Sequence, residues 1–413
     1  MTSPPSGGPW YRQVTPAQKR ALIAASLGWM LDSMDFMMYS MVLSYLIADF
    51  AMSKPMAGLL STLSQLAAAV GGILLGIAAD RFGRTRALMA SIGIYSLFTG
   101  LTGLAHTVFQ LGLLRVLVGF GLGGEWATGA ALVSETWPSE HRGKALGFMQ
   151  SSWAIGYALA ALVTWLILPF WGWRGVFVVG ALPALFTLWI RRSVEEPAIW
   201  SERRENSRFD LRSLRLIVSR PLGRYAFALA LMNAGALFAY WGFNSWNPAF
   251  LSLSAGQGGV GLSARTMSSF VIVMQVGTWI GYVTYGIVSD RLGRKAAYVT
   301  YLLIAAALMP VYAAARDPRW LLAIGPLVGF FGTGFFSGLG AVVAELFPTT
   351  IRASALGFTY NLGRILSAVA PYLVGSLAQE RGFGLAFGVL SGSLIFAAFM
   401  WLLIPETRGR ELG

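Results

Sequence analysis

The stretch GIAADRFGRTR at positions 76–86 recurs as GIVSDRLGRKA at 286–296 in this chain of 413 residues. A second stretch, SETWPSEHRGKALGF at 134–148, recurs as AELFPTTIRASALGF at 344–358. The two recurrences share one offset of 210 positions. Because a constant offset across a chain indicates an internal duplication, the sequence predicts two structurally similar halves.

The composition places both halves in a membrane. Hydrophobic residues make up 56% of the chain and charged residues only 12%, with a mean hydropathy of +0.62, whereas a soluble domain is about 25% charged. A spanning helix needs about 20 apolar residues. We therefore predict an all-α membrane protein with twelve transmembrane helices in two pseudo-symmetric six-helix halves. The apolar segments are 21–48, 56–79, 87–106, 109–136, 145–168, 174–190, 224–252, 267–288, 296–314, 320–346, 353–378 and 384–404.

One long polar stretch divides these segments into two sets. We predict a cytoplasmic tail at 1–20, an N-terminal bundle at 21–190, a cytoplasmic linker at 191–223, a C-terminal bundle at 224–404 and a second tail at 405–413. Most of the 31 Lys and Arg residues fall on the side of the two termini, and positive charge favours the cytoplasmic side. Both termini are therefore expected in the cytoplasm. The excess of Arg over Lys, 27 against 4, fits the inner membrane of a bacterium with a GC-rich genome.

Residue content excludes several function classes. The chain has no cysteine and only two distant histidines, which excludes disulfides and a cysteine nucleophile and argues against a metal site. Its net charge of +13 is spread over successive short loops rather than gathered in a basic stripe, so nucleic acid is not an expected partner. We find no nucleophile beside a base and no cofactor-binding loop, so neither enzymatic activity nor a cofactor is expected.

The repeated motifs resemble those of the major facilitator superfamily of secondary transporters. Asp80–Arg84 and Asp290–Arg294 are similar to the superfamily's loop signature after the second and eighth helices. Arg115 and the glycines that follow it are similar to its fourth-helix signature, and Pro405-Glu406-Thr407 to the end of sugar and organic-acid porters. The resemblance extends from about residue 20 to 407. It implies a functional monomer that works by alternating access.

Three further segments are similar to the sialate:proton symporter group. They are LDSMDF at 31–36, GLGGEWATGA at 121–130 and WPSEHRGKA at 137–145. That group includes bacterial sialic acid transporters and monocarboxylate transporters for lactate and pyruvate. No motif in the chain separates these substrates, so the resemblance implies proton-coupled transport of an organic anion without fixing which anion.

Charged residues at the helix ends repeat in both halves. An Asp beside an arginine fork forms charge-assisted hydrogen bonds, and the glycine between them permits a tight turn. With the resemblance, these pairs are expected to latch cytoplasmic helix ends in one conformation and release them in another. The alternative is that they only anchor helix ends and set topology. The residues are Asp80, Arg81, Arg84, Glu135 and Arg142 in the first half and Asp290, Arg291, Arg294, Glu345 and Arg352 in the second.

Five charges lie within the hydrocarbon region, away from the ends of the apolar segments, where each costs roughly 2.5 to 3.5 kcal/mol unless it faces a cavity or a partner. They are Asp32, Asp35, Arg115, Glu125 and Arg364. Uncharged residues stand at the equivalent positions of the other half. Because the duplication kept the helix-end charges but not these five, they are expected to serve one specific task.

Asp32 and Asp35 share a face of the first helix, and the fourth helix, with Arg115, lines the same cavity in the resembled fold. Burial disfavours the charged form of a carboxyl group, whereas a nearby guanidinium favours it. Asp35 opposite Arg115 would therefore take up and release a proton, while Asp32 tunes it as a nearby like charge or carries the proton itself. The alternative is a permanent ion bridge between two helices.

Glu125 lies ten residues after Arg115, about 15 Å along the helix, so the two cannot touch. It is surrounded by glycines, which let a second helix approach closely. The sequence leaves three roles open: a second proton carrier, a hydrogen-bond acceptor for substrate hydroxyls, or a packed protonated carboxyl group.

Arg364 is the predicted substrate-binding residue. It lies mid-helix in TYNLGRILSAVAP at 359–371, without an acidic partner on its own helix. A guanidinium binds a carboxylate through two parallel hydrogen bonds, which lysine cannot match. Asn361, three residues earlier, is expected on the same face. The alternative is that Arg364 pairs with an acidic residue from the other half.

Uncharged polar residues complete the predicted cavity. In AYWGFNSWNPAFL at 239–251, Pro248 removes a backbone donor. A helix broken there would expose Asn244 and Trp246 to the cavity. Gln65 and Gln275 are matched across the duplication and either line the cavity or bond neighbouring helices.

Together these residues predict a proton-coupled symporter that carries a small organic anion, a monocarboxylate such as lactate or pyruvate, across the lipid bilayer. A proton that accompanies a monoanion makes the transport electroneutral. Symport of sialic acid or an aromatic acid is the alternative. A multidrug exporter is disfavoured, because Arg364 would repel cations.

Overall fold

The computed structural model describes residues 14–194, 196, 216–219, 222–348 and 351–408. Within these ranges the regular secondary structure is helical, without a β-strand. The all-α prediction is therefore confirmed. The predicted linker at 191–223 lies mostly outside the described residues, between a helix that ends at Ser193 and one that begins at Leu222.

The described residues of the first half form seven α-helices. They are α1 (Pro16–Met41), α2 (Leu43–Asp49), α3 (Lys54–Phe82), α4 (Arg84–Thr102), α5 (Val108–Thr136), α6 (Ser139–Val179) and α7 (Phe186–Ser193). Helix α1 begins before residue 21 because Thr15 and Gln18 form a capping box, which satisfies two backbone donors. Helix α6 changes direction at Gly172, whose φ of 63° suits glycine, so it supplies two membrane passes.

The described residues of the second half form eight α-helices. They are α8 (Leu222–Ser252), α9 (Ala264–Leu292), α10 (Arg294–Ala314), α11 (Pro318–Thr333), α12 (Leu339–Leu346), α13 (Arg352–Ser367), α14 (Ala370–Glu380) and α15 (Phe383–Met400). A 3₁₀ segment at Gly334–Gly338 joins α11 to α12 within one pass, and α13 with α14 forms another.

The number of membrane passes agrees with the prediction. Among the described residues, nine helical segments are long and apolar enough to cross a membrane, one of them running from Lys144 to Ile190. That segment bends at Gly172 and makes two passes, while α4 and the α13–α14 pair complete the set of twelve.

The duplication is visible in the packing of equivalent helices. A Cβ atom placed on Gly71 of α3 would lie 1.9 Å from the carbonyl oxygen of Phe120 on α5, and one placed on Gly281 of α9 would lie 2.6 Å from that of Phe330 on α11. Both pairs obey the 210-residue offset. Small residues at membrane helix contacts let backbones approach closely. The same close helix pair therefore recurs in each half, which confirms their pseudo-symmetry.

The two halves are joined at the helix ends remote from the chain termini, which we call the distal end. Ser44 and Ser252 share a hydrogen bond of 2.8 Å between their hydroxyl oxygens. The Lys54 ammonium donates to the Gln257 carbonyl oxygen at 2.7 Å. These bonds link α2 and α3 to the second half, so they hold the distal end closed.

Candidate functional site

The two carboxyl groups of α1 are both buried, with exposed fractions of 3% for Asp32 and 0% for Asp35. The Thr99 hydroxyl of α4 donates to Oδ2 of Asp35 at 2.6 Å. Oδ1 of each aspartate lacks a hydrogen-bond partner among the described residues. A buried polar atom without a hydrogen-bond partner costs free energy. A proton, or a donor side chain that moved next to these oxygens, would therefore stabilise them.

Arg115 of α5 is also buried, and its guanidinium lies 4.9 Å from the centre of the Tyr39 ring. It acts electrostatically on Asp35. Within the described chain, however, it forms no ion pair with Asp35 at 4.0 Å or less, and its Nε and Nη1 have no hydrogen-bond partner. The two charges are therefore neighbours inside the first half without a direct bridge in this conformation.

Glu125 of α5 lies against α1. It is fully buried, and a Cβ atom placed on Gly28 would lie 1.9 Å from its Oε1. Neither carboxyl oxygen has a hydrogen-bond partner among the residues that the structure places. Glu125 and Asp32 act on each other electrostatically, and the buried Tyr95 hydroxyl of α4 feels both. The glycine next to α5 therefore allows Glu125 to reach the same region as Asp32.

Arg364 brings a positive charge from the second half into the neighbourhood of Asp32. It is only partly buried, its Nε has no partner among the described residues, and its charge acts on Asp32. One helical turn earlier on α13, the ring of Tyr360 stacks on Trp126 of α5 with centroids 5.2 Å apart. This stack joins α5 to α13, and it places the charged residues of both halves at one interface.

Buried aromatic side chains from both halves form a continuous wall, which begins on α1, the helix of Asp32 and Asp35. The ring centroids of Trp29 and Trp153 lie 4.5 Å apart, those of Phe36 and Trp241 4.8 Å, and those of Trp153 and Trp241 6.0 Å. The Trp153 indole also donates a hydrogen bond to the Tyr240 hydroxyl. Trp29, Phe36 and Trp153 come from the first half, and the other two residues from the second.

Sequence reasoning missed most of this wall. No sequence pattern marks Trp29 or Trp153 as a neighbour of another indole. The 15 tryptophans of the chain are the one available signal, and they do not show which indoles face one another.

The remaining residues predicted to bind substrate are dispersed. Trp246 is fully buried and donates to the Pro371 carbonyl oxygen at 2.7 Å, since α8 continues unbroken through Pro248. Asn244 donates to the carbonyl oxygen of Tyr240 at 2.9 Å, one turn earlier, and lines a small cavity inside the second half. The structure does not bring Trp246 to the charged interface.

Asn361 and the two glutamines also lie in different environments. Asn361 is exposed and donates to the carbonyl oxygen of Gly357 at 2.9 Å, so its amide bonds its own helix. Gln65 is fully buried, with both amide atoms lacking a partner among the described residues, and Gln275 is buried in α9. Gln65 is therefore the more available of the two glutamines for a new hydrogen bond.

The predicted latches form one matching cluster in each half. Arg84 pairs with Asp80 and, at 2.9 Å, with Glu135. Arg294 pairs with Asp290 at 2.5 Å and with Glu345 at 3.0 Å. The first cluster joins α3, α4 and α5, and the second joins the equivalent α9, α10 and α12. Arg81 and Arg291 form no ion pair among the described residues, Arg352 begins α13, and the side chain of Arg142 lies outside the described part.

A further carboxylate caps each latch. Glu196 accepts from the backbone N–H groups of Thr85 and Arg86, and Glu406 from those of Arg294 and Lys295 at 2.9 and 3.1 Å. Partial burial acts to raise the pKa of Glu406, but hydrogen bonds from the backbone N–H groups outweigh it and lower this pKa below its ordinary value. The two glutamates therefore bind the first turns of α4 and α10, where free N–H groups attract anions.

Two equivalent six-helix bundles, with charges buried in the first bundle and near its contact with the second, define a multi-pass membrane transporter rather than an enzyme. The chain belongs to the Major Facilitator Superfamily, whose sequence profile matches residues 25–282 and 247–412.

The similarity to several relatives and to a solved structure covers almost the whole chain. A probable 4-methylmuconolactone transporter of Cupriavidus pinatubonensis is 36% identical over 97% of this chain and 93% of that protein. A cis,cis-muconate transport protein of Acinetobacter baylyi is 32% identical over 91% of each chain. The sialic acid transporter NanX of Escherichia coli is 31% identical over 96% of this chain and 95% of its own. The crystal structure of a D-xylose-proton symporter matches with a TM-score of 0.77 at 20% identity, covering 96% of this chain and 100% of that one. The resemblance to the superfamily and to its sialate group is thereby confirmed.

Proposed function

We propose that this transporter is a proton-coupled symporter for a small organic carboxylate. The observation that carries the proposal is the position of Arg364, a partly exposed guanidinium at the interface of the halves, with no ion pair among the described residues. A guanidinium at such a depth is costly without a counter-charge. A carboxylate that enters the interface supplies that charge through two charge-assisted hydrogen bonds.

The aromatic wall favours a flat substrate. Trp29, Trp153 and Trp241 pack ring against ring across the two halves, and aromatic contacts stabilise a planar, unsaturated partner beyond simple burial. The names of two relatives, a muconolactone transporter and a muconate transport protein, support the same class. We therefore favour an aromatic or unsaturated monocarboxylate. Lactate or pyruvate, the sequence-based expectation, would leave most of this wall without contact.

The buried carboxyl groups of α1 support proton coupling. Asp35 lies between the Thr99 hydroxyl and the electrostatic influence of Arg115, so its protonation depends on where that guanidinium lies. Movement of α5 relative to α1 during alternating access would change that distance. The proton-coupling role of Asp35 and Arg115 is thus part of the proposal, together with Arg364 as the carboxylate-binding residue.

The proposed orientation follows from the loop charges. With both termini in the cytoplasm of a bacterial cell, the latch clusters around Arg84 and Arg294 face inward and the distal end faces outward. The described conformation, with its bonds from Ser44 to Ser252 and from Lys54 to Gln257, is then closed to the outside. Each monomer holds a complete site, so we propose a functional monomer.

Uptake into proteoliposomes tests this function. Purified protein would be given labelled benzoate, cis,cis-muconate, lactate, pyruvate or sialic acid, with and without an inward proton gradient. We expect gradient-stimulated uptake that is fastest for the unsaturated acids. Arg364→Ala should lose uptake at concentrations that saturate the wild type, while Arg319→Ala, at an exposed cation in the first turn of α11, should not. Carboxylate uptake that is the same with and without the proton gradient would rule out proton symport. An Arg364→Ala variant that keeps the wild-type affinity for the carboxylate would rule out the binding role of Arg364.

A further inference from the structure

Two cations at the distal end extend from one half of the molecule to the other. Lys54 is the first residue of α3, and Arg265 is the second residue of α9. The 210-residue offset makes these helices equivalent and places Arg265 one position beyond the counterpart of Lys54. A positive charge in the first turn of a helix is unfavourable, because the free N–H groups there attract anions. Each half therefore carries a cation that does not stabilise its own helix, which indicates a role outside that helix.

The Lys54 ammonium contacts groups of the second half. It donates to the carbonyl oxygens of Gln257 at 2.7 Å and Ala378 at 3.3 Å. It also lies 5.2 Å from the centre of the Phe383 ring. Ala378 belongs to the last turn of α14, where carbonyl groups without a partner inside the helix favour a nearby cation. Lys54 of the first half therefore stabilises a helix end of the second half.

The backbones of α3 and α14 are in close contact around this lysine. The Lys54 N–H donates to Oε1 of Gln379 at 3.2 Å, and a Cβ atom placed on Gly375 would lie 2.6 Å from the Lys54 carbonyl oxygen. One turn further along α3, a Cβ atom placed on Gly58 would lie 2.3 Å from the carbonyl oxygen of Pro371. Because the ammonium contacts depend on this approach of the two helices, Lys54 keeps its partners only while the distal end is closed.

Arg265 makes the reciprocal contact, from the second half to the first. Its guanidinium carbon lies 5.2 Å from the centre of the Trp165 ring and 5.7 Å from that of the Phe170 ring, both on α6. A cation is attracted to the face of an aromatic ring by the charge distribution of the ring. Under the 210-residue offset, segment 160–170 of α6 is the counterpart of α14. Equivalent helices of the two halves therefore contact equivalent segments of the opposite half through a cation.

We propose that Lys54 and Arg265 form a reciprocal lock, one cation from each half, that holds the distal end closed. Opening of that end separates α3 from α14 and α9 from α6, so both cations lose their partners. Those partners are carbonyl groups and aromatic rings, and neither cation forms an ion pair with an acid among the described residues. Water replaces such partners when the end opens, so no buried acid is left without its counter-charge. The latch clusters each join helices of one half, whereas this lock joins the two halves.

Distances between two spin labels measure whether the distal end is closed. The chain has no cysteine, so labels can be attached at His106→Cys in the first half and Arg319→Cys in the second, both exposed positions at the distal end. Pulsed electron paramagnetic resonance in lipid nanodiscs, without substrate, should show mainly one short distance. Lys54→Gln should raise the ratio of the long to the short distance about tenfold or more, because a hydrogen bond to a charged group shifts an equilibrium by at least that factor. Arg265→Gln should raise it about two- to fivefold, as expected for an exposed cation over a ring.

Further variants make the result specific. Arg381→Gln removes an exposed cation of the same end and should leave the distances unchanged, while Lys54→Arg keeps a cation and should stay mainly closed. Trp165→Leu should act like Arg265→Gln, and the double variant should shift the ratio by less than the two single effects combined, because both remove one contact. This pair tests the lock even if Lys54→Gln does not fold.

Several results would overturn the inference. They are a wild type in which the long distance already predominates, Lys54→Gln with the wild-type distances, Arg381→Gln with an equal shift, and independent effects of Trp165→Leu and Arg265→Gln. Because no substrate is added, none of these outcomes depends on which anion the protein transports or on whether a proton accompanies it.

Discussion

Substitution of Gly71 by alanine should separate the two helices that hold Arg115 in place. The added Cβ atom would lie 1.9 Å from the Phe120 carbonyl oxygen, which is 1.5 Å closer than the 3.4 Å at which ordinary contact begins. Both partners are backbone, so no side chain can rotate away. Overpacking of this kind costs about 1–3 kcal/mol, and we expect the upper end, reduced by about 1 kcal/mol because alanine favours the helix more than glycine does. The net loss should be about 2 kcal/mol.

The same helix provides its own control. A Cβ atom on Gly76 would meet nothing within 4 Å, so Gly76→Ala should retain wild-type stability or gain up to about 1 kcal/mol. The duplication repeats the comparison, because Gly281 is blocked at 2.6 Å and Gly286 is open. We therefore expect Gly71→Ala to be the least stable variant, followed by Gly281→Ala, with the two open positions unaffected.

This order of stability can be measured by thermal unfolding of the four variants in one detergent. Unfolding would be followed by tryptophan fluorescence or by loss of the monodisperse peak in size-exclusion chromatography. Only Gly71→Ala and Gly281→Ala should melt earlier than the wild type. A Gly71→Ala protein as stable as Gly76→Ala would refute the reasoning, since it would mean that α3 and α5 do not need this close approach.

Three further predictions concern the distal end, a latch and the aromatic wall. Because the chain has no cysteine and the Ser44 and Ser252 hydroxyls are 2.8 Å apart, the double variant Ser44→Cys/Ser252→Cys should crosslink on oxidation and stop uptake, and a reducing agent should restore it; full activity of the crosslinked protein would contradict a moving distal end. Glu406→Gln should melt below the wild type near neutral pH, because a carboxylate with a lowered pKa stabilises the fold only while it is ionised. The difference in melting temperature should shrink as the pH falls below 4.5, the ordinary pKa of a glutamate, and then through the lowered pKa of the native carboxyl group. A difference that does not change with pH would contradict this. Trp153→Leu should raise the half-saturation concentration for benzoate by up to about tenfold, or about 1.4 kcal/mol, with less effect on lactate, and equal effects on both acids would argue against the wall as a selectivity element.

Local chemistry allowed the latches to be predicted from the sequence. Arg84 and Glu135 occur in repeated motifs at helix ends, where the turn at Gly83 and the next loop fix the neighbours within one half. The same holds for Arg294 and Glu345. The five midplane charges were equally easy to identify from the sequence, because a charged residue in an apolar segment is rare and costs free energy.

The partners of those charges were not predictable in the same way. Asp35 was expected opposite Arg115, but its hydrogen-bond donor is Thr99, an ordinary residue of α4. Asn361 was expected beside Arg364, yet its amide is exposed and bonds its own helix. Helices of a polytopic bundle are apolar on every side, so their sequences carry little periodic signal to show which face meets a neighbour and which meets lipid.

By itself the sequence determined the twelve helices, the two halves and the number of buried charges, because hydropathy, duplication and the cost of a charge in hydrocarbon are read residue by residue. Only the tertiary structure brought Arg364 to Asp32 and Trp153 to Trp241 across the two halves. Those contacts depend on how far each helix is rotated and how closely the bundles approach. Both quantities are fixed by glycine packing and ring stacking between distant parts of the chain.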